Sequence, residues 1–133
     1  MRVMIIGCGR IGSVLANRLD EEGHQVVVLD RDQQAFRRLS EKFSGGRIVG
    51  NGLIEEFVRP TLQEKTDLLF VSTDKDNVNL MISQRVKKNV QVGRVISVVH
   101  DSVLAGLYKE LGLETVCSTD LVLKEVLQVI QES

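Results

Sequence analysis

The chain has no tryptophan, one tyrosine, one proline and two cysteines in 133 residues. Cys8 and Cys117 lie near opposite ends, with no C-x-x-C spacing and no companion histidine cluster, so zinc-ligand sets and thioredoxin-like chemistry have no support. Two reduced, buried thiols are expected instead. Charge of one sign is also missing: seventeen Lys plus Arg face eighteen Asp plus Glu, a net charge of -1. That balance provides no basic field for nucleic acid or an anionic lipid surface. The longest apolar runs, such as Val26 to Leu29 and Leu68 to Val71, fall far short of the ~20 residues a membrane helix needs, so direct membrane insertion is not expected. An apolar strand begins directly after Arg2, leaving no room for a charged n-region, an h-region and a cleavage site, and the expected compartment is the cytoplasm. With 43% apolar and 26% charged residues, what remains is the composition of a folded domain. Domains average about 100 to 200 residues, so residues 1–133 are expected to form one.

Short β-rich apolar runs alternate with helical patterns throughout. Val3 to Ile6 reads as a buried strand, and Ile11, Val14, Leu15 and Leu19 then form one stripe of a helix ending near Gly23. Val26 to Leu29 is the second strand. Asp32 caps a predicted helix carrying Ala35, Phe36 and Leu39, and Arg47 to Gly50 is a short third strand after Gly45-Gly46. A helix near Leu53 to Val58 and a loop with Pro60 lead to strand four, Asp67 to Val71. Val78, Met81, Ile82 and Val86 mark the next helix, Val95 to Val99 is strand five, and Asp101 caps a helix that Gly112 ends in a left-handed turn. Thr115 to Cys117 is strand six. Continuously apolar strands linked by helices predict an α/β fold, a Rossmann-type doubly wound parallel sheet of order 3-2-1-4-5-6 with a C-terminal helix. In that last helix, Asp120 to Ser133, apolar residues spread over more than one stripe. It is read either as a surface that meets a partner or as an ordinary covering helix.

Gly7-Cys8-Gly9-Arg10-Ile11-Gly12 is G-x-G-x-x-G, placed between a predicted strand and a predicted helix. Gly7 permits the tight turn, Gly9 lets backbone approach a pyrophosphate, and Gly12 allows close packing of helix on strand; the helix N-terminus adds free N–H groups and partial positive charge. At that N-terminus the Cys8 thiol is expected to have a lowered pKa, although a redox role is not expected. Asp30, ending strand two, is placed to accept hydrogen bonds from an adenosine ribose and to repel a 2′-phosphate, favouring NAD(H) or ATP/ADP over NADP. Arg31 beside it is a cation that could accept that phosphate. Arg10 opposes the helix dipole, which favours contact with a terminal phosphate or a neighbouring subunit over a solvated surface charge. Asn51-Gly52 and Thr73 fall on the carboxyl edge of the sheet, where ligands of open α/β folds bind; the alternatives are a simple turn and, for Thr73 or Asp74, a helix cap.

With these residues placed, the chain resembles the RCK or KTN regulatory domains of potassium channels and transporters, the N-terminal domains of Trk/Ktr uptake regulators. The likeness runs through Gly7 to Gly12, Gly23 to Val26, Asp30-Arg31-Asp32 and Gly50-Asn51-Gly52. It continues through Val71-Ser72-Thr73-Asp74-Lys75-Asp76-Asn77-Val78-Asn79, similar to the family's Thr-x-x-Asp-x-x-Asn segment, to Leu111-Gly112. The resemblance implies a cytoplasmic domain that binds NAD(H) or ATP/ADP, assembles as dimers or rings, and gates a membrane potassium-translocating subunit without catalysis of its own. Gly7, Gly9 and Gly12 would hold phosphates, Asp30 the ribose and Asn51 the adenosine side, with Arg10 on the distal phosphate across a subunit boundary. Cys8, Ile11, Arg31, Gly52, Ser72 and Thr73 complete the expected site. Asn51 replaces an Asp frequent in relatives, and Val98 an Arg frequent in strand five. The family's usual C-terminal ligand-sensing domain is not in this sequence; either the sequence is a piece of a longer chain or a separate subunit carrying that domain is a partner.

The competing reading is a small NAD-dependent oxidoreductase or a piece of one. Such an enzyme needs a proton donor or base beside the nicotinamide, commonly from a second domain or a Tyr-x-x-x-Lys pair. Tyr108 has Gly112 four positions on, and His24 is expected at the amino edge of the sheet.

Overall fold

The computed structural model describes residues 1–53, 58–62 and 64–132. Six strands, β1 (Arg2–Ile6), β2 (Gln25–Asp30), β3 (Gly46–Val49), β4 (Thr66–Val71), β5 (Val92–Val99) and β6 (Glu114–Cys117), form one sheet. Its order is β3-β2-β1-β4-β5-β6, and every pairing is parallel. The helices are α1 (Arg10–Glu21), α2 (Asp76–Lys87), α3 (Ser102–Glu110) and α4 (Ser118–Glu132). The predicted doubly wound order is therefore the observed one.

Alternation along β1 explains why this strand is central. Val3 and Ile5 enter one apolar cluster with Ala16 of α1, Val26, Val28 and Phe70, while Met4 and Ile6 enter another with Leu29, Leu69, Val71 and Ile82 of α2. All four β1 side chains are essentially inaccessible. Both faces of the strand are thus in core, the condition for a parallel sheet. A third cluster joins Val99 to Ala105, Tyr108 and Leu113 beneath α3.

Several local expectations are refined. The segment capped by Asp32 is a 3₁₀ helix, Gln33–Arg38, not an α-helix; the Asp32 carboxylate does accept the Gln34 N–H at 2.9 Å. Asp101 caps α3 by accepting from Val103 and Leu104, and Gly112 adopts φ +77°. Strand β5 begins three residues earlier than predicted, at Val92. Most of the helix predicted near Leu53 to Val58 lies outside the described residues. Helix α4 does not cover the sheet: none of its residues is buried, and Leu121, Leu123, Leu127 and Ile130 are about half exposed. Cys117 is half-buried, not buried.

Candidate functional site

Beyond the carboxyl ends of β1, β2 and β4 lies a cleft of about 500 Å³, at the point where the chain's winding reverses. This is where open α/β sheets bind ligands. Of the residues singled out from sequence, Gly7, Cys8, Gly9, Asp30, Arg31, Asn51, Gly52, Ser72 and Thr73 line it. Arg10, Ile11 and Gly12 do not: Arg10 and Ile11 are exposed on the first turn of α1, and Gly12 is packed below the loop.

The three loop glycines have different physical reasons. Gly7 has φ +104°, and a Cβ there would meet the Ser72 carbonyl oxygen at 2.6 Å. A Cβ on Gly12 would meet the Gly7 carbonyl oxygen at 2.0 Å. Gly9 is different, since a Cβ there would meet nothing within 4 Å. Its missing side chain satisfies no packing demand of the protein, and it keeps open the space beside the loop that a phosphate would fill. Gly9 also caps α1 without any side-chain hydrogen bond, and the first turn holds no acidic residue. The amides of Arg10, Ile11 and Gly12 precede the first intrahelical bond, Ser13 N–H to Gly9 O at 3.0 Å, so this turn presents donors and a dipole suited to an anion.

Asp30 braces the loop from the β2 side. One carboxylate oxygen accepts the Cys8 N–H at 2.7 Å, and the other accepts the Asp32 N–H at 2.8 Å. A carboxylate has about four acceptor positions, so ribose hydroxyls can still be bound while the loop stays fixed. The Cys8 thiol is buried, and burial, reinforced by the Asp30 charge, pushes its pKa up to about 11. The thiol expectation from sequence is thereby reversed: desolvation and the Asp30 charge outweigh the Arg38 and Arg47 cations.

On the β4 side, hydroxyls stitch loops together. Ser72 Oγ donates to the Gly7 carbonyl at 3.1 Å. Thr73 donates both its N–H and its hydroxyl to Asn79 Oδ1, while the Asn79 amide donates to the carbonyls of Thr73 and Val98, each at 3.0 Å. Asn79 is fully buried. Asp76 accepts the N–H groups of His100 and Asp101, tying α2 to the end of β5. The Thr73, Asp76 and Asn79 spacing is thus a brace that holds the cleft's far wall. Neither Thr73 nor Asp74 caps α2, whose N-cap residue is Lys75. Asn51 forms a local turn, its Oδ1 accepting the Leu53 N–H at 2.9 Å, and Gly52 lets that turn approach Ile6 and Ile82.

Two lining residues escaped sequence reasoning, Arg38 and Lys75. The position of Lys75, two after Thr73 on the carboxyl edge, was a usable signal. Arg38 had none, because its return to the Cys8 carbonyl, 3.5 Å from one guanidinium nitrogen, depends on the 3₁₀ path of the chain. No histidine or tyrosine lines the cleft. Tyr108 is buried and donates its hydroxyl to the Asp76 carbonyl at 2.9 Å, and His24 sits beside the N-terminal amine at the opposite edge.

Residues 3–119 match the family described as the TrkA-N domain. The chain is 35% identical over 118 residues to the Trk system potassium uptake protein TrkA of Streptomyces coelicolor, an alignment covering 89% of this chain and 53% of that protein. It therefore spans about half the length of that relative. Among solved structures, the TrkA-N domain of the Escherichia coli inner membrane protein ybaL superposes with a TM-score of 0.81 at 20% identity, covering 96% of this chain and 95% of that one. The Shewanella denitrificans Kef CTD in an AMP-bound form gives 0.78 at 20% identity, covering 98% and 82%. At such identities these structures speak to the fold.

Proposed function

The chain belongs to the TrkA-N domain family, and from that premise we propose that it is a nucleotide-binding regulatory domain that controls a potassium-translocating membrane protein. The observation that carries the nucleotide part is the glycine loop. The first turn of α1 carries no acid and has amides that precede its first intrahelical bond, a Cβ on Gly9 would meet nothing within 4 Å, and Asp30 lines the same cleft beside the loop. In this reading Gly7 and Gly12 shape the loop, Gly9 and the α1 amides hold phosphate, Asp30 takes the adenosine ribose, and Asn51 takes the adenosine side. NAD(H) and ATP/ADP fit these roles, and the Asp30 carboxylate disfavours NADP. Support comes from the AMP-bound form of the Kef structure and from the potassium-uptake name of the Streptomyces relative.

A potassium-translocating partner and a place on the inner face of the membrane are proposed on the strength of the family; no helix of the described residues is long and apolar enough to cross a membrane. Among the described residues the cleft lining holds neither histidine nor tyrosine, and we favour a sensor over an oxidoreductase. Helix α4, with its exposed apolar residues, supplies a surface for homo-oligomers or for a subunit carrying the ligand-sensing domain. Arg10, outside the cleft of its own chain, is assigned to the nucleotide of a neighbouring copy. Gating then requires that a nucleotide bind two assembly states with different affinity, since equal affinity shifts nothing.

A thermal-shift panel with ATP, ADP, AMP, NAD⁺, NADH and NADPH tests the binding claim. Ligand at about one hundred times its dissociation constant adds ~2.7 kcal/mol, a rise of several degrees. The expected result is a rise with ATP or NAD(H) and little with NADPH; no rise with any of the six would sink the nucleotide reading.

A further inference from the structure

The cations at the cleft are arranged on two sides of the glycine loop. Strand β1 lies between β2 and β4, so the loop that leaves it is flanked by the segment after β2, which carries Arg38, and the segment after β4, which carries Lys75. Both line the cleft, and among the described residues neither forms an ion pair. The lining also holds Arg31 and three carboxylates, Asp30, Asp32 and Asp74; both oxygens of Asp30 accept backbone N–H groups, Asp32 is occupied as a cap, and none of the three forms an ion pair with Arg38 or Lys75. A lysine and an arginine without ion-pair partners in a concave site are available to the oxygens of a phosphate chain.

Their separation along the cleft gives them different tasks. With adenosine on the β2 side at Asp30, the first phosphate reaches the glycine loop beside Arg38, whose guanidinium lies 3.5 Å from the Cys8 carbonyl. A longer phosphate chain continues over the loop toward the end of β4. There Lys75 stands at the start of α2, on backbone held by the Thr73 hydroxyl, which accepts the Lys75 N–H and lies 3.3 Å from the Lys75 carbonyl oxygen. The Thr73 to Asn79 brace fixes that backbone, so the ammonium is tethered to a rigid edge. We propose that Lys75 is a specificity-determining residue that reads, within its own chain, the third phosphate of a nucleoside triphosphate. Arg38 contacts the phosphate common to mono-, di- and triphosphates. The assignment rests on the nucleotide reading above, and it differs from the role of Arg10, which acts between copies.

The test is titration calorimetry of the full chain and of Lys75→Met, Lys75→Arg and Arg38→Met with ATP and AMP. A hydrogen bond to a charged group is worth about a factor of ten or more in affinity. Lys75→Met should weaken ATP about tenfold and AMP less than about twofold, and Lys75→Arg should retain most of the ATP affinity. Arg38→Met should weaken both ligands by a similar factor. Lys75 is exposed, so the unliganded thermal midpoint of its variants should match that of the parent chain. Unchanged ATP affinity in Lys75→Met, or equal losses for ATP and AMP, overturns the proposal while the nucleotide reading stands. Failure of the parent chain to bind ATP overturns the proposal, and failure to bind any nucleotide of the panel overturns the reading it rests on as well.

Discussion

Asp30 serves the glycine loop before it serves any ligand. Its carboxylate satisfies the Cys8 and Asp32 amides, so removing it strands the part-buried Cys8 donor and leaves the exposed Asp32 N–H to water. Asp30→Ala should therefore lower the unfolding free energy by about 2 kcal/mol as well as weaken adenine nucleotides. Urea unfolding and a parallel nucleotide titration separate the two effects, and a variant that lost affinity at unchanged stability would show that the loop does not depend on this brace. Cys8 gives a pH prediction with a definite sign. Burial, then the Asp30 charge, raise its folded pKa from about 9 to about 11, so the folded state keeps the thiol proton that the unfolded chain releases. Stability from this group is complete below pH ~9 and is lost as pH rises through ~11. The downward slope over that window should flatten in Cys8→Ala. Slow maleimide labelling of Cys8 at pH 7.5 in the native chain is the companion expectation, and labelling as fast as in the unfolded chain would contradict it.

At the scale of elements, the contrast is between β1 and α4. Every apolar side chain of β1 after Arg2 is buried on one face or the other, whereas α4 buries none of its seven apolar residues between Leu121 and Ile130. Polar contacts anchor its first turn: Ser118 Oγ lies 2.7 Å from His100 Nδ1, and Ser102 donates to Asp120 at 2.6 Å. Replacing Leu123, Leu127 and Ile130 together by glutamine should leave the stability of a dilute monomer within about 0.5 kcal/mol per site, because nothing buried is lost. The same variant should lower the mass of the concentrated chain measured by light scattering if α4 is the assembly surface. A large loss of monomer stability would instead mean that the helix packs onto its own sheet in solution.

For the molecule as a whole, the parallel sheet and its cleft are two consequences of one winding pattern. Strand order, the glycine loop and Asp30 at the end of β2 were all determined by the sequence, because each rests on information local to a strand, a turn or a cap. Continuous apolar runs require cover on both faces, three glycines at fixed spacing require a tight turn into a helix, and the acid at a strand end needs no partner to be placed there. Only the tertiary structure decided that Arg38 lines the cleft and Arg10 does not. Arg10, adjacent to the glycines in sequence, stays outside, while Arg38 and Lys75 arrive from segments following other strands. It also decided that Thr73 and Asn79 form a brace spanning β4, α2 and β5, that burial raises the Cys8 pKa, and that α4 buries none of its residues. These outcomes depend on distances between segments far apart in the chain and on solvent exclusion. Periodicity along a single segment encodes neither.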